Sequence, residues 1–452
     1  MLLVKGGLVF VDNELRPVDI VADHGKTVAL VEQGFGPGGP EVEVVEAFGC
    51  WVLPGLIDSH VHFRDPGYPA KEDFESGSRA AAAGGVVMVV DMPNTLPPSN
   101  TVARLQAHTQ VASARSLVDF NHWALPTVPE EIPGLAALGI AGFKFFMKAA
   151  HYPYDQDVSI VDHYRILETL RAVGKTGLPC LVHPHDQSIW AGKVAASQAL
   201  GNDNRDAFRE VSYGEQGVIQ TTGVAVCTLL AEAAGCDLRV LHIQGAGQLK
   251  LVKALKAANY RLIAEMNPQA VFTVEALASR QPGDVDANFA ALEEGLIDVI
   301  GSDHAPHTDA EDQAAGSGTF ESVIGSYVWS QYWGGLFVDA VRAGRISLRR
   351  FVEASSRSVA IHLGVYPRKG QIAVGSDADY AVFDVNRTEI VGRTRPSFSR
   401  GSLAQLQGRE VGATAVATIV RGKIVYRDGE FGVDPGYGEF VPRESRQAPG
   451  DG

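Results

Sequence analysis

Leu56-Ile57-Asp58-Ser59-His60-Val61-His62-Phe63-Arg64 begins as an apolar, β-rich run and ends in two imidazoles and a guanidinium, and that change of character decides the fold. Side chains two apart on a strand face the same way, so His60 and His62 can grip one cation together. Taken alone, His-x-His equally suits a hydrogen-bonded surface pair. Working outward, seven further runs of the same texture begin near Val86, Leu117, Ile140, Cys180, Leu238, Leu262 and Ile297, alternating with helical segments. The rhythm predicts an α/β fold, a (β/α)8 TIM barrel. Six of the eight runs finish in residues able to ligate metal or bind a substrate. Such barrels carry their active sites at the C-terminal strand ends, whereas core positions are branched and apolar.

The fourth run, Ile140-Ala141-Gly142-Phe143-Lys144-Phe145-Phe146-Met147, buries a lysine among apolar neighbours. Burial disfavours the ammonium, which makes Lys144 reactive toward carbon dioxide or a carbonyl. Carbamylation would turn it into a carboxylate able to bridge two metals; a Schiff-base lysine and one that snorkels to the surface are the competing readings. The fifth run ends Val182-His183-Pro184-His185 and the sixth Leu241-His242. His60 and His62 are assigned to one cation, and His183 and His242 to a second, with the Lys144 carbamate shared. His185 rivals His183, which lies closer to the strand end. The eighth run ends Gly301-Ser302-Asp303-His304, where Asp303 can reach the first metal and exchange a proton with an attacking water, its alternative being a helix cap. Two divalent cations, zinc before others, are thus the expected cofactors.

The chain has 452 residues, more than one core usually organises, so an accessory domain is expected. Both ends read as short strands broken by glycine: Leu2–Lys5, Gly7–Val11 and Thr27–Val31 in front, Ile372–Val374, Asp379–Phe383 and Thr418–Tyr426 behind. These predict a composite β-sandwich from residues 1–53 and 371–442, with the barrel over 54–370 and a loose tail over 443–452. A net charge of −14 argues against a nucleic-acid partner. No apolar run approaches the roughly 20 residues of a membrane span, and a cytoplasmic location is the default expectation. Cys50, Cys180, Cys227 and Cys236 lack Cys-x-x-Cys spacing, which predicts reduced, buried thiols.

Taken together, these residues resemble the amidohydrolase superfamily, in the cyclic-amide branch of dihydroorotases, hydantoinases (dihydropyrimidinases) and allantoinases. The stretches from Gly55 to Gly67 and from Lys71 to Ala80, with Met92-Pro93-Asn94-Thr95, look like dihydroorotase. Gly301-Ser302-Asp303-His304-Ala305-Pro306-His307 is similar to all three groups, whereas Gly142-Phe143-Lys144 and Tyr366-Pro367-Arg368-Lys369-Gly370 look more like hydantoinases and allantoinases. The resemblance implies hydrolysis of a small cyclic amide or ureide, with dihydroorotase first and hydantoinase or allantoinase as the alternative. It further implies that Arg64, Asn94 and His307 hold a substrate carboxylate, and that the chain assembles as a homodimer or homotetramer. Some relatives are non-catalytic scaffolds, but here the metal-binding set is complete. Three departures stand out. Ala264-Glu265-Met266-Asn267-Pro268-Gln269 replaces the usual seventh-strand pattern, Ser279–Asp284 occupies a shortened loop, and Asp91 stands where the family often has cysteine.

Overall fold

The computed structural model describes residues 1–148, 158–272, 283–317, 320 and 325–444. Eight parallel strands form the barrel: β1 (Leu56–Val61), β2 (Val86–Asp91), β3 (Asp119–Ala124), β4 (Gly142–Phe146), β5 (Cys180–His183), β6 (Leu238–Val240), β7 (Leu262–Met266) and β8 (Val299–Ile300). Each starts within two residues of its predicted position. The ring closes where Val61 bridges His304 in parallel and the His62 amide donates to the His304 carbonyl at 2.7 Å. All six residues of β2 are buried, as expected of a parallel strand covered on both faces. Helix α1 (Phe74–Ala83) follows β1, and its start is fixed by a reciprocal cap in which the Asp73 carboxylate accepts from the Ser76 amide at 2.8 Å. Helix α2 (Val102–Arg115) follows β2.

The two chain ends share the accessory domain. Strand Cys50–Pro54 pairs in parallel with Leu8–Val11 and antiparallel with Tyr380–Asp384, inside a seven-stranded sheet. A four-stranded sheet of Leu2–Lys5, Val18–Asp23, Lys26–Glu32 and Glu43–Glu46 lies against it, and Leu2, Val4, Ile20, Val52, Tyr380 and Val382 pack into the shared core.

The structure departs from the sequence reading in detail. Ile372–Val374 forms no strand, although Ile372 still packs into the sandwich core. Thr418–Tyr426 is part of a hairpin, Thr414–Val420 and Lys423–Arg427. It turns at Arg421 and Gly422, both in the left-handed region that a tight two-residue hairpin turn requires. Of the predicted tail, Arg443 and Glu444 are tied by backbone bonds to Gly139 and Gly364, and the remainder lies outside the described residues.

Among the described residues one helix, Arg205–Ala234, is long and apolar enough to cross a membrane by length and composition, contrary to the expectation that no such stretch exists. Its backbone leaves the helical region at Gly214–Gly217, so it is two helices across a kink. The four cysteines are free and buried, as predicted.

Barrel and sandwich are joined through Lys369, whose fully buried ammonium lies 2.5 Å from Asp119 at the start of β3 and 2.7 Å from Asp379 at the edge of the sandwich. The Arg421 guanidinium also contacts Asp119.

Candidate active site

The strand ends bring the predicted ligands to one place. His60 Nε2 and His62 Nε2 converge on Asp303 Oδ1, at 3.1 and 3.4 Å, so three donor atoms from β1 and the end of β8 surround one point. Two atoms bound at about 2.0–2.1 Å to a common tetrahedral centre lie roughly 3.3 Å apart, so the spacing fits a zinc-class ion. A second pair sits beside it: His242 Nε2 is 2.9 Å from His183 Nδ1, and the His242 ring lies 6.2 Å from that of His60. His183 therefore faces His242, while His185 turns toward Trp190 with its ring 6.0 Å away. Lys144 lies on β4, whose ladder pairs it with Leu181 of β5; it is 1% exposed and sits 4.4 Å above the Phe146 ring.

Burial and the two carboxylates set the charge of this centre group by group. Burial works against a charged His60 ring, yet Glu265 and Asp303 outweigh it and push its pKa up to about 9. Burial alone would raise the Asp303 carboxyl, but His60 and His62 hold it well below the usual carboxylate range. Burial lowers both His62 and His242 to about 4, leaving them neutral and able to ligate. It also brings Lys144 down to about 7, against the pull of Glu265 and Asp303. A lysine that is substantially neutral near pH 7 is the form that adds carbon dioxide.

Several residues that position this set carried no role in the sequence reading. Glu265, on β7, accepts from His60 Nδ1 at 2.5 Å and meets the Arg239 guanidinium, which also donates to Ser59 Oγ at 2.7 Å. The signal was there: Glu265 and Arg239 are charges inside apolar strand runs, as Lys144 is. Glu72, fully buried, takes His304 Nε2 at 3.2 Å and steadies the end of β8. Gly301 is required by crowding, since a Cβ there would lie 2.8 Å from His60 Cβ and 3.0 Å from the Glu265 carboxyl. Arg64, His242 and Asp303 all have positive φ (62°, 43° and 52°). Left-handed backbone in such residues costs about 1–3 kcal/mol each and concentrates at functional sites.

Carboxylates that orient ligating histidines typically change metal affinity by roughly 10- to 100-fold. Glu265→Gln is accordingly expected to weaken metal retention on that scale, read by competition with a chelator; unchanged affinity would deny Glu265 an orienting role.

At the corner where the resemblance expects the substrate carboxylate, Arg64 Nη2 lies 3.3 Å from His307 Nε2, and Arg64 Nε donates to the Pro306 carbonyl. Asn94 Oδ1 accepts from His62 Nδ1 at 2.7 Å, which links the first ligand pair to this corner. Lys71 Nζ is 3.5 Å from His307 Nδ1 and pairs with Glu311 at 2.6 Å. Of the shortened loop, only Gly283 and Asp284 fall within the described residues.

Residues 49–159 match the family described as dihydro-orotase-like, and residues 227–425 match the amidohydrolase family. The chain is 30% identical to an allantoinase of Rubrobacter xylanophilus over 97% of each chain. It is also 30% identical to a dihydroorotase of Methanothermobacter thermautotrophicus over 96% of each. Its structure superposes on the L-hydantoinase (dihydropyrimidinase) from Arthrobacter aurescens with a TM-score of 0.88, at 26% identity, covering 98% of this chain and 99% of that one. The chain belongs to the amidohydrolase family. More narrowly, it is a cyclic amidohydrolase of the hydantoinase, dihydroorotase and allantoinase group, an enzyme acting on carbon–nitrogen bonds other than peptide bonds.

Proposed function

We propose that the enzyme is a dihydroorotase, interconverting carbamoyl aspartate and dihydroorotate, with His60, His62, Lys144, His183, His242 and Asp303 holding two zinc-class ions and Lys144 carbamylated. One observation carries the substrate assignment. The Arg64 guanidinium is buried at 3% exposure with no carboxylate partner among the described residues, and its Nη1 makes no hydrogen bond. Asn94 Nδ2 is likewise buried and unbonded. A buried charge is costly unless paired, so this corner suits an anionic ligand. A ring carboxylate taken up by Arg64, Asn94 and His307 satisfies both donors at once.

When bound, the cations polarise the ring carbonyl and lower the pKa of the attacking water toward about 7. Asp303, ionised across the working pH range, takes the water proton as the C–O bond forms and passes it to the ring nitrogen as the C–N bond breaks. Ring closure runs the same transfers backward. Arg64 and His307 fix the ring by its carboxylate, so the carbonyl rather than the carboxylate faces Asp303.

Hydantoinase or allantoinase activity is the second reading, supported by the names of the relatives that match over nearly the whole chain. A panel of dihydroorotate, hydantoin, dihydrouracil and allantoin with zinc-loaded enzyme tests the choice. We expect kcat/KM to be highest for dihydroorotate; a preference for an uncharged ring would overturn the assignment.

A further inference from the structure

Three side chains that the reaction does not use meet in the layer between the barrel wall and its helices. Asp91 closes β2, His122 pairs beside it on β3, and His108 projects from α2. One ligand atom from each lies within 4.8 Å of the others, and all three residues are at most 1% exposed. The surroundings are aromatic: Phe74 meets the His122 ring edge-on at 6.1 Å and Phe440 stacks on it at 6.2 Å.

Asp91 and His108 lie at ion-pair distance, but the atoms that face the middle of the cluster make no hydrogen bonds. Asp91 Oδ2 approaches His108 Nε2 to 3.1 Å, yet the two make no hydrogen bond, and neither nitrogen of His122 has a partner. The outer atoms, in contrast, are held. Asp91 Oδ1 accepts from the Phe63 amide at 2.8 Å, and His108 Nδ1 sits 2.9 Å from Ser99 Oγ. If His108 Nδ1 donates to Ser99, its Nε2 lone pair faces the Asp91 carboxylate, a repulsion that a cation between them would turn into attraction. Two imidazoles and a carboxylate are a zinc-type donor set, and a hydrogen bond on the far nitrogen of a ligating histidine is its usual support. The 3.1 Å spacing is close to the roughly 3.3 Å expected of two ligands on one tetrahedral ion.

We propose that Asp91, His108 and His122 form a separate, sealed site for one zinc-class divalent cation, distinct from the centre at the strand ends. Its role is structural. Through the Phe63 amide it fixes the segment between His62 and Arg64, which carry a metal ligand and the substrate guanidinium. Because the site is closed, its ion is taken up during folding and cannot exchange in the native state, unlike ions held near the partly open Asp303.

Metal analysis of the native protein after prolonged dialysis against EDTA tests this. We expect about one equivalent of zinc per chain to remain and to be released only when the chain is unfolded in the chelator. His122→Leu should retain none after the same dialysis. Anomalous diffraction at the zinc edge from wild-type crystals should show a peak between the three side chains, which keeps the test intact should the variant fail to fold. No retained equivalent in the wild type, an equivalent retained in His122→Leu, or anomalous peaks at the strand ends with none here would each overturn the proposal. Because the readouts are specific to this location, they are independent of which ring the enzyme opens.

Discussion

Replacing Lys144 by alanine is expected to remove bound metal and activity together, with turnover falling by roughly 10³-fold or more, the scale seen when one member of a catalytic unit is lost. On the proposed assignment a Lys144 carbamate would be shared by the His60–His62 and His183–His242 pairs, so its loss would take a ligand from each. A pH signature follows. Carbamylation consumes a neutral amine and one carbon dioxide and releases a proton. With Lys144 lowered to about 7, the amine is mostly free above that value and mostly protonated below it. Metal loading of apo-enzyme in bicarbonate should therefore decline as pH falls from about 8 to about 6: Lys144 titrates within that window, His60, held protonated through it, must also release a proton to ligate, and His62 and His242 are already neutral. A short-chain carboxylate added to Lys144→Ala should restore part of the metal content. Two metals and near-normal turnover in the unrescued variant would rule the bridge out.

Arg64→Ala should divide substrates by charge. Removing one partner of a buried, hydrogen-bonded charge pair costs about 2–5 kcal/mol, or roughly 30- to 4,000-fold at 1.4 kcal/mol per decade. We expect kcat/KM for dihydroorotate to drop within that range, while hydantoin and dihydrouracil, which offer no carboxylate, change less than about threefold. Arg64→Lys should recover little, since an ammonium cannot reproduce the planar fork and Arg64 is already packed between Pro306 and His307. An equal loss on charged and uncharged rings would mean that Arg64 only shapes the strand end.

The barrel was legible because its strands are apolar on both faces and end in chemistry. Val86–Asp91 and Gly142–Phe146 could be placed from composition alone, and Lys144 stood out against its neighbours. The bridging interactions were much less legible. Glu265 lies on β7 and His60 on β1, and nothing in either stretch says that they meet at 2.5 Å, since closure of the ring sets that contact. His108 and His122 sit on a helix and a strand whose patterns read as ordinary core, so only packing reveals that both turn toward Asp91. At the ends, Thr418–Tyr426 read as one run because the turn at Arg421-Gly422 offers a single glycine, and the left-handed arginine beside it has no signature in the sequence.

The shared β-sheet also sets a timetable for synthesis. Strand Cys50–Pro54 emerges early, but one of its two neighbours, Tyr380–Asp384, is translated only after the entire barrel. At about 5–20 residues per second the wait is of order tens of seconds, during which an apolar strand edge stands open. A nascent chain of this design has to keep that edge from pairing with a neighbour on the polysome. Completion of Lys369 and of the strand that follows is what finally shuts it.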